Sequence, residues 1–248
     1  MLSMRKAFLA LAIVGMLSTS ACERIAGDDA RPKTSRDFPK AERLVMAGNA
    51  LASASESERD DVNEAETVMD LARVSAGMSV ADVGAGSGYY TVRLAQRVGR
   101  AGRVLAEDID PDMMQKLGLR VEREHLENVS IKLGTVDDPR LPENSFDRIF
   151  LVHVYREIDE PYAFLWRLRP ALRKGGKVIV VGVDRDADAR GIAPSLLFCE
   201  FAASGFRLNQ FIRKPELQGY FAQFEAIGER PEPGAIVPCR MSGKTDMK

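Results

Sequence analysis

Histidine, cysteine and tryptophan are scarce in this chain. Its 248 residues include two histidines, three cysteines and one tryptophan. His125 and His153 stand apart, and no C-x-x-C or H-E-x-x-H spacing occurs, so the sequence contains no recognisable metal site. The nucleophile elbow G-x-S-x-G is also missing, because Gly86-Ser87-Gly88 is a different turn. Its absence disfavours a Ser-His-Asp hydrolase.

The chain also lacks an excess of basic charge and an apolar run long enough to cross a membrane. Lys and Arg number 35 against 36 Asp and Glu, which gives a net charge of −1. Proteins that bind nucleic acid through its phosphates carry a basic patch or stripe, so we predict no nucleic-acid partner. The apolar run near the amino terminus, Ala7 to Leu17, is too short to span a bilayer.

The order of residues around this apolar run is typical of a secretory signal peptide. Arg5 and Lys6 precede it, and small residues ending in Ala21 and Cys22 follow it. A cysteine directly after Ala21 predicts a bacterial lipoprotein signal with lipidation at Cys22, although Thr19 stands where such signals usually carry Leu. Ordinary cleavage after Ala21 and an uncleaved anchor are the alternatives. We therefore expect export to the periplasm or cell exterior, with a membrane attachment through an N-terminal lipid.

Composition divides the chain into four parts. The predicted parts are a signal peptide (1–21), a polar tether with a partial helix (22–57), a folded domain (58–230) and a C-terminal tail (231–248). If Cys22 is lipidated, Cys199 and Cys239 remain as an even pair in an oxidising compartment, where a disulfide can form. Cys199 lies within an apolar run, which favours a buried free thiol instead.

One stretch organises the folded domain. Val80 to Val83 is typical of a buried strand, and it leads through Gly84-Ala85-Gly86-Ser87-Gly88 into a helix from Tyr89. Glycines at every second position let the backbone approach a ligand, and the helix start has free N–H groups. The spacing differs from the dinucleotide fingerprint G-x-G-x-x-G, which argues against a nicotinamide-dependent oxidoreductase.

Strand and helix patterns alternate along the domain, which favours a parallel α/β sheet. The predicted later strands are Val104 to Ile109, Val129 to Leu133, Arg148 to His153, Lys177 to Val183, Phe206 to Ile212 and Tyr220 to Ala226. The predicted helices are 41–54, 65–74, Tyr89 to Val98, Pro111 to Leu126, Tyr162 to Leu172 and Ala193 to Ser204. One of the last two strands is expected to be antiparallel.

The glycine turn resembles the first motif of class I S-adenosylmethionine-dependent methyltransferases, since an acidic residue, Asp82, precedes it. A second strand ending in Asp108 follows, and the segments Asp137 to Asp147 and Leu172 to Val181 come in the order of this family. The resemblance extends from about Glu64 to Ile227. It implies an α/β fold with a doubly wound, mostly parallel, seven-stranded Rossmann-like sheet.

The resemblance also implies a cofactor, S-adenosyl-L-methionine (SAM). The predicted cofactor-binding residues are Asp82, Gly84, Ala85, Gly86, Gly88, Asp108 and Asp137. Asp108 is expected to accept hydrogen bonds from both ribose hydroxyls, and Asp137 from the adenine amino group. Relatives usually carry Gly-Asp-Ala after the third strand, whereas this chain has Gly134-Thr135-Val136. Asp137 or Asp138 could therefore be an ordinary turn former before Pro139.

His153 and Tyr155 follow the fourth strand, at the sheet edge where open α/β sheets bind ligands. We predict that both are catalytic, with His153 as a base and Tyr155, together with Tyr89, as an aromatic wall of the acceptor pocket. Related sequences tend to carry Tyr-His-Glu here, so Arg156 replaces an expected histidine. The alternative is that His153 is a packed strand residue and that Arg156 and Glu157 form a surface pair.

Together these patterns predict an enzyme that transfers a methyl group from SAM to a small-molecule or lipid-like acceptor. SAM is made in the cytosol, whereas the signal sequence points outside it. This conflict motivates the alternative of a noncatalytic binding or assembly lipoprotein that retains the fold.

Overall fold

A seven-stranded sheet is the centre of the computed structural model, which describes residues 31–42, 55–183, 191–217 and 219–240. The strands are β1 (Ser79–Val83), β2 (Arg103–Asp108), β3 (Val129–Leu133), β4 (Phe146–Val152), β5 (Leu172–Val183), β6 (Phe206–Lys214) and β7 (Gly219–Ala226). Their order is β3-β2-β1-β4-β5-β7-β6. Strands β1 to β5 pair in parallel, and β7 is antiparallel to both β5 and β6. The predicted α/β sheet, with one antiparallel closing strand, is confirmed.

Helices cover both faces of this sheet. They are α1 (Glu56–Asp61), α2 (Glu64–Leu71), α3 (Tyr89–Val98), α4 (Pro111–Arg123), α5 (Pro161–Leu168) and α6 (Pro194–Ala203). Pro111 occupies the first turn of α4, where its missing N–H group costs no hydrogen bond. The Asp110 side chain caps that helix by accepting from the Asp112 backbone N–H at 2.8 Å. Among the described residues, no helix is both long and apolar enough to cross a membrane.

Alternating side chains of the strands build one apolar core on each face of the sheet. Val80 and Val104 pack with α2 and α3 on one face, whereas Ala81 and Val180 pack with α5 and α6 on the other. Burial on both faces explains why these strands are nearly continuous apolar runs. In β1, β2 and β4 the polar residues lie near the strand ends, and the carboxyl ends of these three strands lie together at one edge.

The segment before α1 corrects the tether prediction for residues 22–57 where it is described. Phe38 is buried against Tyr162 and Ile236, and its ring centroid lies 5.5 Å from that of Trp166. The physical reason is that the Phe38 side chain, although its sequence neighbours are polar, is buried on an apolar surface of α5 and the carboxyl-terminal segment. Residues 1–30, 43–54 and 241–248 lie outside the described residues, and with them the predicted signal peptide, the lipidation site Cys22 and the helix at 41–54.

The carboxyl-terminal segment also belongs to the folded unit as far as Arg240. Ile236 and Cys239 are buried, and Cys239 is joined to Cys199 of α6 by a disulfide with a Cα–Cα distance of 6.0 Å. The free buried thiol favoured by the sequence is therefore wrong, and the alternative pairing is correct. The apolar run around Cys199 predicts burial, but it does not show that the carboxyl-terminal segment packs near α6 and brings Cys239 within bonding distance.

Candidate active site

The glycine turn after β1 lies directly against the segment that follows β4. Gly84 has a φ of +71°, and a Cβ added there would lie 2.5 Å from Cγ2 of Val154. A larger residue at this position would therefore clash with Val154 and strain the backbone. The Gly86 backbone N–H donates to the Asp108 carboxylate at 2.9 Å, and the Ala85 N–H donates to the Glu107 carbonyl at 2.9 Å. The turn is thus held between the ends of β1, β2 and β4.

Gly88 closes the turn and begins α3. Its φ is +93°, and a Cβ there would lie 2.4 Å from Cδ1 of Leu117 in α4. Within the described part of the chain, no side chain caps the start of α3. The first N–H groups of this helix therefore lie beside the turn without a side-chain acceptor, as expected where a helix start faces a ligand.

Acidic side chains converge at this edge of the sheet. Asp82 and Glu107 lie at the ends of the parallel neighbours β1 and β2, Asp108 follows Glu107, and Glu157 lies in the short helix after β4. Burial raises the pKa of the Asp82 carboxyl to about 6, although a hydrogen bond from the Thr91 hydroxyl at 2.6 Å acts to lower it. Burial also raises the pKa of Glu157, and the charge of Asp108 adds to this effect despite the ion pair with Arg156. The edge is electronegative and has a preference for a cationic ligand.

Glu107 is the most strongly perturbed of these acids. Its side chain is 1% exposed, and Oε1 has no hydrogen-bond partner among the described residues. Burial, followed by the charge of Asp108, raises the pKa of this carboxyl to about 8. A Cβ added at Gly134, after β3, would fall 1.7 Å from Oε1, so the carboxyl fills the space left by that glycine. A buried polar atom without a partner is unusual and marks a place where a ligand or proton matters.

Helices α1 and α2 cover the start of α3. The Arg59 and Arg93 guanidinium carbons each lie 3.8 Å from the ring centroid of Tyr89. The Tyr89 hydroxyl donates to Asp60 at 2.9 Å, and the Tyr90 hydroxyl donates to Glu64 at 3.1 Å. These polar contacts hold α1 and α2 over the amino end of α3.

His153 lies at the rim of the site, immediately after β4. Its φ is +60°, its side chain is 32% exposed, and Nε2 lies 3.3 Å from Oε1 of Glu64. Although burial opposes it, hydrogen bonds from His153 and Arg59 lower the pKa of Glu64 to about 2. Glu64 is therefore a carboxylate that orients the imidazole, and it is a site residue that the sequence analysis did not identify.

Two aromatic residues do not line an open surface as predicted. Tyr155 is 1% exposed, and its hydroxyl donates to Glu200 of α6 at 2.8 Å, so it packs in the core below the site. The Tyr89 ring is buried between Arg59 and Arg93. The prediction that they wall the acceptor pocket is corrected, because the Tyr155 hydroxyl is bound to Glu200 and the Tyr89 ring is covered by Arg59 of α1 and Arg93 of α3.

Asp137 makes contacts that the sequence did not predict. Its carboxylate accepts from the hydroxyls of Thr34 and Ser35, and Arg167 Nη1 lies 2.8 Å from the same oxygen. These partners tie the segment before α1 to α5. In this structure the Asp137 carboxylate therefore has structural partners, and its assignment to the adenine amino group stays a prediction.

The sequence of this chain is similar to those of proteins named methyltransferases. A family model described as a methyltransferase domain matches residues 80–176. The chain is 31% identical over 111 residues to a protein-L-isoaspartate O-methyltransferase of Methanothrix thermoacetophila, covering 45% of this chain and 50% of the relative. It is 37% identical over 107 residues to a demethylmenaquinone methyltransferase of Tropheryma whipplei, covering 43% and 42%. The chain spans about half or less of the length of these curated relatives.

Solved structures support the same fold. A SAM-dependent methyltransferase from Aquifex aeolicus aligns with a TM-score of 0.61 at 22% identity, over 69% of this chain and 97% of that one. The [4+2]-cyclase SpnF aligns with a TM-score of 0.59 at 16% identity, over 77% and 89%. One of these two structures is named a cyclase, so the fold alone does not specify methyl transfer. The family model nevertheless matches residues 80–176 as a methyltransferase domain.

Proposed function

We propose that this chain, which carries a class I methyltransferase domain, transfers a methyl group from SAM to a small lipid-like acceptor. The observation that carries the proposal is a cluster of four carboxyl groups beside the glycine turn, from Asp82, Glu107, Asp108 and Glu157. The turn itself has no space for a side chain at Gly84, so its backbone can approach a ligand closely. SAM combines a sulfonium, an ammonium and two ribose hydroxyls, so a cluster of acids suits its charge and its donors.

The residues present fit this cofactor. Asp108 supplies carboxylate oxygens for the ribose hydroxyls, and the tight turn at Gly84 and Gly86 lets the backbone approach the amino-acid portion. Asp82 is held by Thr91 at the end of β1 and contributes negative charge below the turn. The unpartnered Oε1 of Glu107 is a further acceptor or, when protonated, a donor for the bound molecule. Among the described residues, no group of His, Cys, Asp and Glu forms a metal site.

When bound, SAM would supply an electrophilic methyl group for in-line attack by the acceptor atom, with S-adenosylhomocysteine as the leaving group. The work of the protein is then mainly alignment, because the step needs no covalent intermediate with a side chain. His153 is the residue placed to take a proton from an oxygen or nitrogen acceptor. Because the Glu64 carboxylate faces Nε2, that nitrogen carries the proton in the neutral imidazole, and Nδ1 is left as the basic atom.

The proposal of a lipid-like acceptor draws on the relatives named as demethylmenaquinone methyltransferases. It is tested by incubating the purified chain with SAM labelled in the methyl group and either a demethylmenaquinone analogue kept in its reduced, quinol form by dithionite or a peptide containing isoaspartate. Label transferred to the quinone analogue alone supports the proposal. Label transferred only to the peptide assigns an O-methyltransferase activity instead, and label transferred to neither rejects both acceptors.

Export and anchoring through a lipid on Cys22 are also part of this proposal. Their support is the signal-like sequence of residues 1–21 and the Cys199–Cys239 disulfide, since such bonds persist mainly in oxidising compartments. Mass spectrometry of the protein from its native membrane tests this directly. A mature chain that begins with a lipidated Cys22 supports anchoring, whereas an unmodified N-terminus at Met1 contradicts it.

A further inference from the structure

A cavity lies at the opposite end of the sheet from the glycine turn. It has a volume of about 560 Å³ and is bordered by the start of β5, the start of β6 and the end of β7. Its charged lining residues are Arg169, Arg173, Lys174, Arg207, Arg230 and Glu225. Five cations and one carboxylate leave a net charge of +4 on this lining, in a chain whose total net charge is −1.

Only part of this positive charge is neutralised within the described residues. Glu225 is bound by both Arg207 and Lys177, and Arg173 Nη1 lies 3.0 Å from Asp147. No carboxylate within the described ranges pairs with the other three cations of the lining, Arg169, Lys174 and Arg230. Several cations of the lining therefore lie close enough to repel one another. A bound anion would reduce this repulsion.

Two of these three cations are held in fixed positions. Arg169 Nη2 donates to the carbonyls of Ile227 at 2.8 Å and Gly228 at 2.6 Å, while its buried Nε has no hydrogen-bond partner among the described residues. Burial, together with the charge of Arg230, lowers the pKa of Arg169. The guanidinium carbon of Arg230 lies 3.3 Å from the ring centroid of Trp166. Fixed guanidinium groups of this kind favour multivalent oxyanions, because less side-chain freedom is lost on binding.

We propose that this cavity is a binding site for a phosphate group, distinct from the cofactor site. Lys174 is exposed at the turn inside β5 and supplies a mobile cation at the cavity entrance. Arg169 and Arg230 supply guanidinium groups from its wall. The ligand is a phosphate ester, either on a soluble metabolite or on the headgroup of an anionic lipid, and both sources present the same oxyanion.

The single tryptophan of the chain gives a direct readout, because Trp166 stacks on Arg230. Inorganic phosphate and glycerol phosphate are titrated into the full chain while Trp166 fluorescence and binding heat are recorded, with potassium chloride at equal ionic strength as reference. We expect saturable binding of at least one phosphate compound that chloride does not reproduce. Lys174→Gln should weaken it at least about fivefold. Lys132→Gln, which removes an exposed cation on β3, should change it less than about twofold.

A second arm distinguishes the two sources. Vesicles of phosphatidylcholine with or without phosphatidylglycerol are sedimented with the chain lacking residues 1–22, so that no lipid anchor contributes. Binding to the anionic vesicles that is lost in Lys174→Gln and kept in Lys132→Gln assigns a lipid headgroup. Binding of soluble phosphate without vesicle binding assigns a soluble ester. If neither arm detects binding, or if both variants weaken binding equally, the proposed site is overturned.

Discussion

The imidazole Nε2 of His153 lies 3.3 Å from a carboxylate oxygen of Glu64. This contact joins the residue after β4 to helix α2, which precedes the first strand. Glu64 also accepts hydrogen bonds from Arg59 and from the Tyr90 hydroxyl. The imidazole therefore contacts a carboxylate whose position is fixed by two other donors. The cover over the site and the proposed base are thereby parts of one hydrogen-bonded unit.

Substitution of His153 tests its proposed role as a base. His153→Ala should lower turnover by about 10²- to 10⁴-fold, the usual contribution of a positioned base, while SAM affinity stays within a few-fold. Tyr155→Phe is the matched control, since its hydroxyl donates to Glu200 in the core and should not affect the chemical step. Turnover is measured with the acceptor that the labelling assay identifies. Wild-type turnover in His153→Ala would show that proton removal, if needed, occurs elsewhere.

Substitution of Gly84 tests the close contact between the glycine turn and Val154. Gly84→Ala should destabilise the fold by about 1–3 kcal/mol and weaken SAM binding, because the new Cβ combines strain with overlap. Gly77→Ala is the control, since Gly77 has a similar φ of +83° and no atom within 4 Å of an added Cβ. Chemical denaturation and calorimetry compare the two variants. Equal losses in both would mean that backbone strain alone, and not contact with Val154, makes glycine necessary.

Glu107 should make the stability of the unliganded protein depend on pH. Its folded-state pKa of about 8 exceeds the usual value of 4.5, because it is buried near Asp108, Asp138 and Asp82. The folded state then holds a proton that the unfolded state has released, so the stability that Glu107 contributes is fully present below pH 4.5 and is lost as the pH rises through about 8. Glu107→Gln removes the titration and should raise stability at pH 8 by on the order of a few kcal/mol relative to wild type. Parallel pH profiles of unfolding in both proteins would contradict this account.

The Cys199–Cys239 disulfide should stabilise the attachment of the carboxyl-terminal segment. The bond closes a loop with a sequence separation of 40 residues, for which chain entropy predicts about 2–4 kcal/mol. Replacing both cysteines with Ala should lower the free energy of unfolding by this amount. Alkylation of the unreduced, denatured protein followed by peptide mass spectrometry checks the bond itself. Alkylated Cys199 and Cys239 in exported protein would exclude the bridge.

The sequence predicted the features that depend on local order along the chain. The glycine turn follows one predicted strand and Asp108 lies at the end of the next, so their convergence follows from parallel pairing of β1 and β2. It did not predict contacts made across the fold. Asp137 meets Thr34, which is 103 positions away, and Tyr155 meets Glu200, which is 45 positions away.

These long-range contacts give Asp137 and Tyr155 partners that the sequence did not predict. A carboxylate or a phenol near a strand end has the same sequence signal whether it faces a ligand or a buried partner. Glu107 was missed for the related reason that its neighbour Asp108 matches the family position. Only the structure reveals that Glu107 is buried and that its Oε1 lacks a partner within the described residues.

The most direct test of the account is calorimetric titration of SAM into the full chain and into Asp108→Ala. We expect saturable binding to the wild type, with proton release near pH 7 because a cation lowers the pKa values of Asp82 and Glu107. Loss of the Asp108 carboxylate should weaken binding about ten- to hundredfold, whereas Asp112→Ala, at an exposed position in α4, should not. No binding of SAM to the wild type, or equal affinity in Asp108→Ala, would contradict the proposed cofactor site.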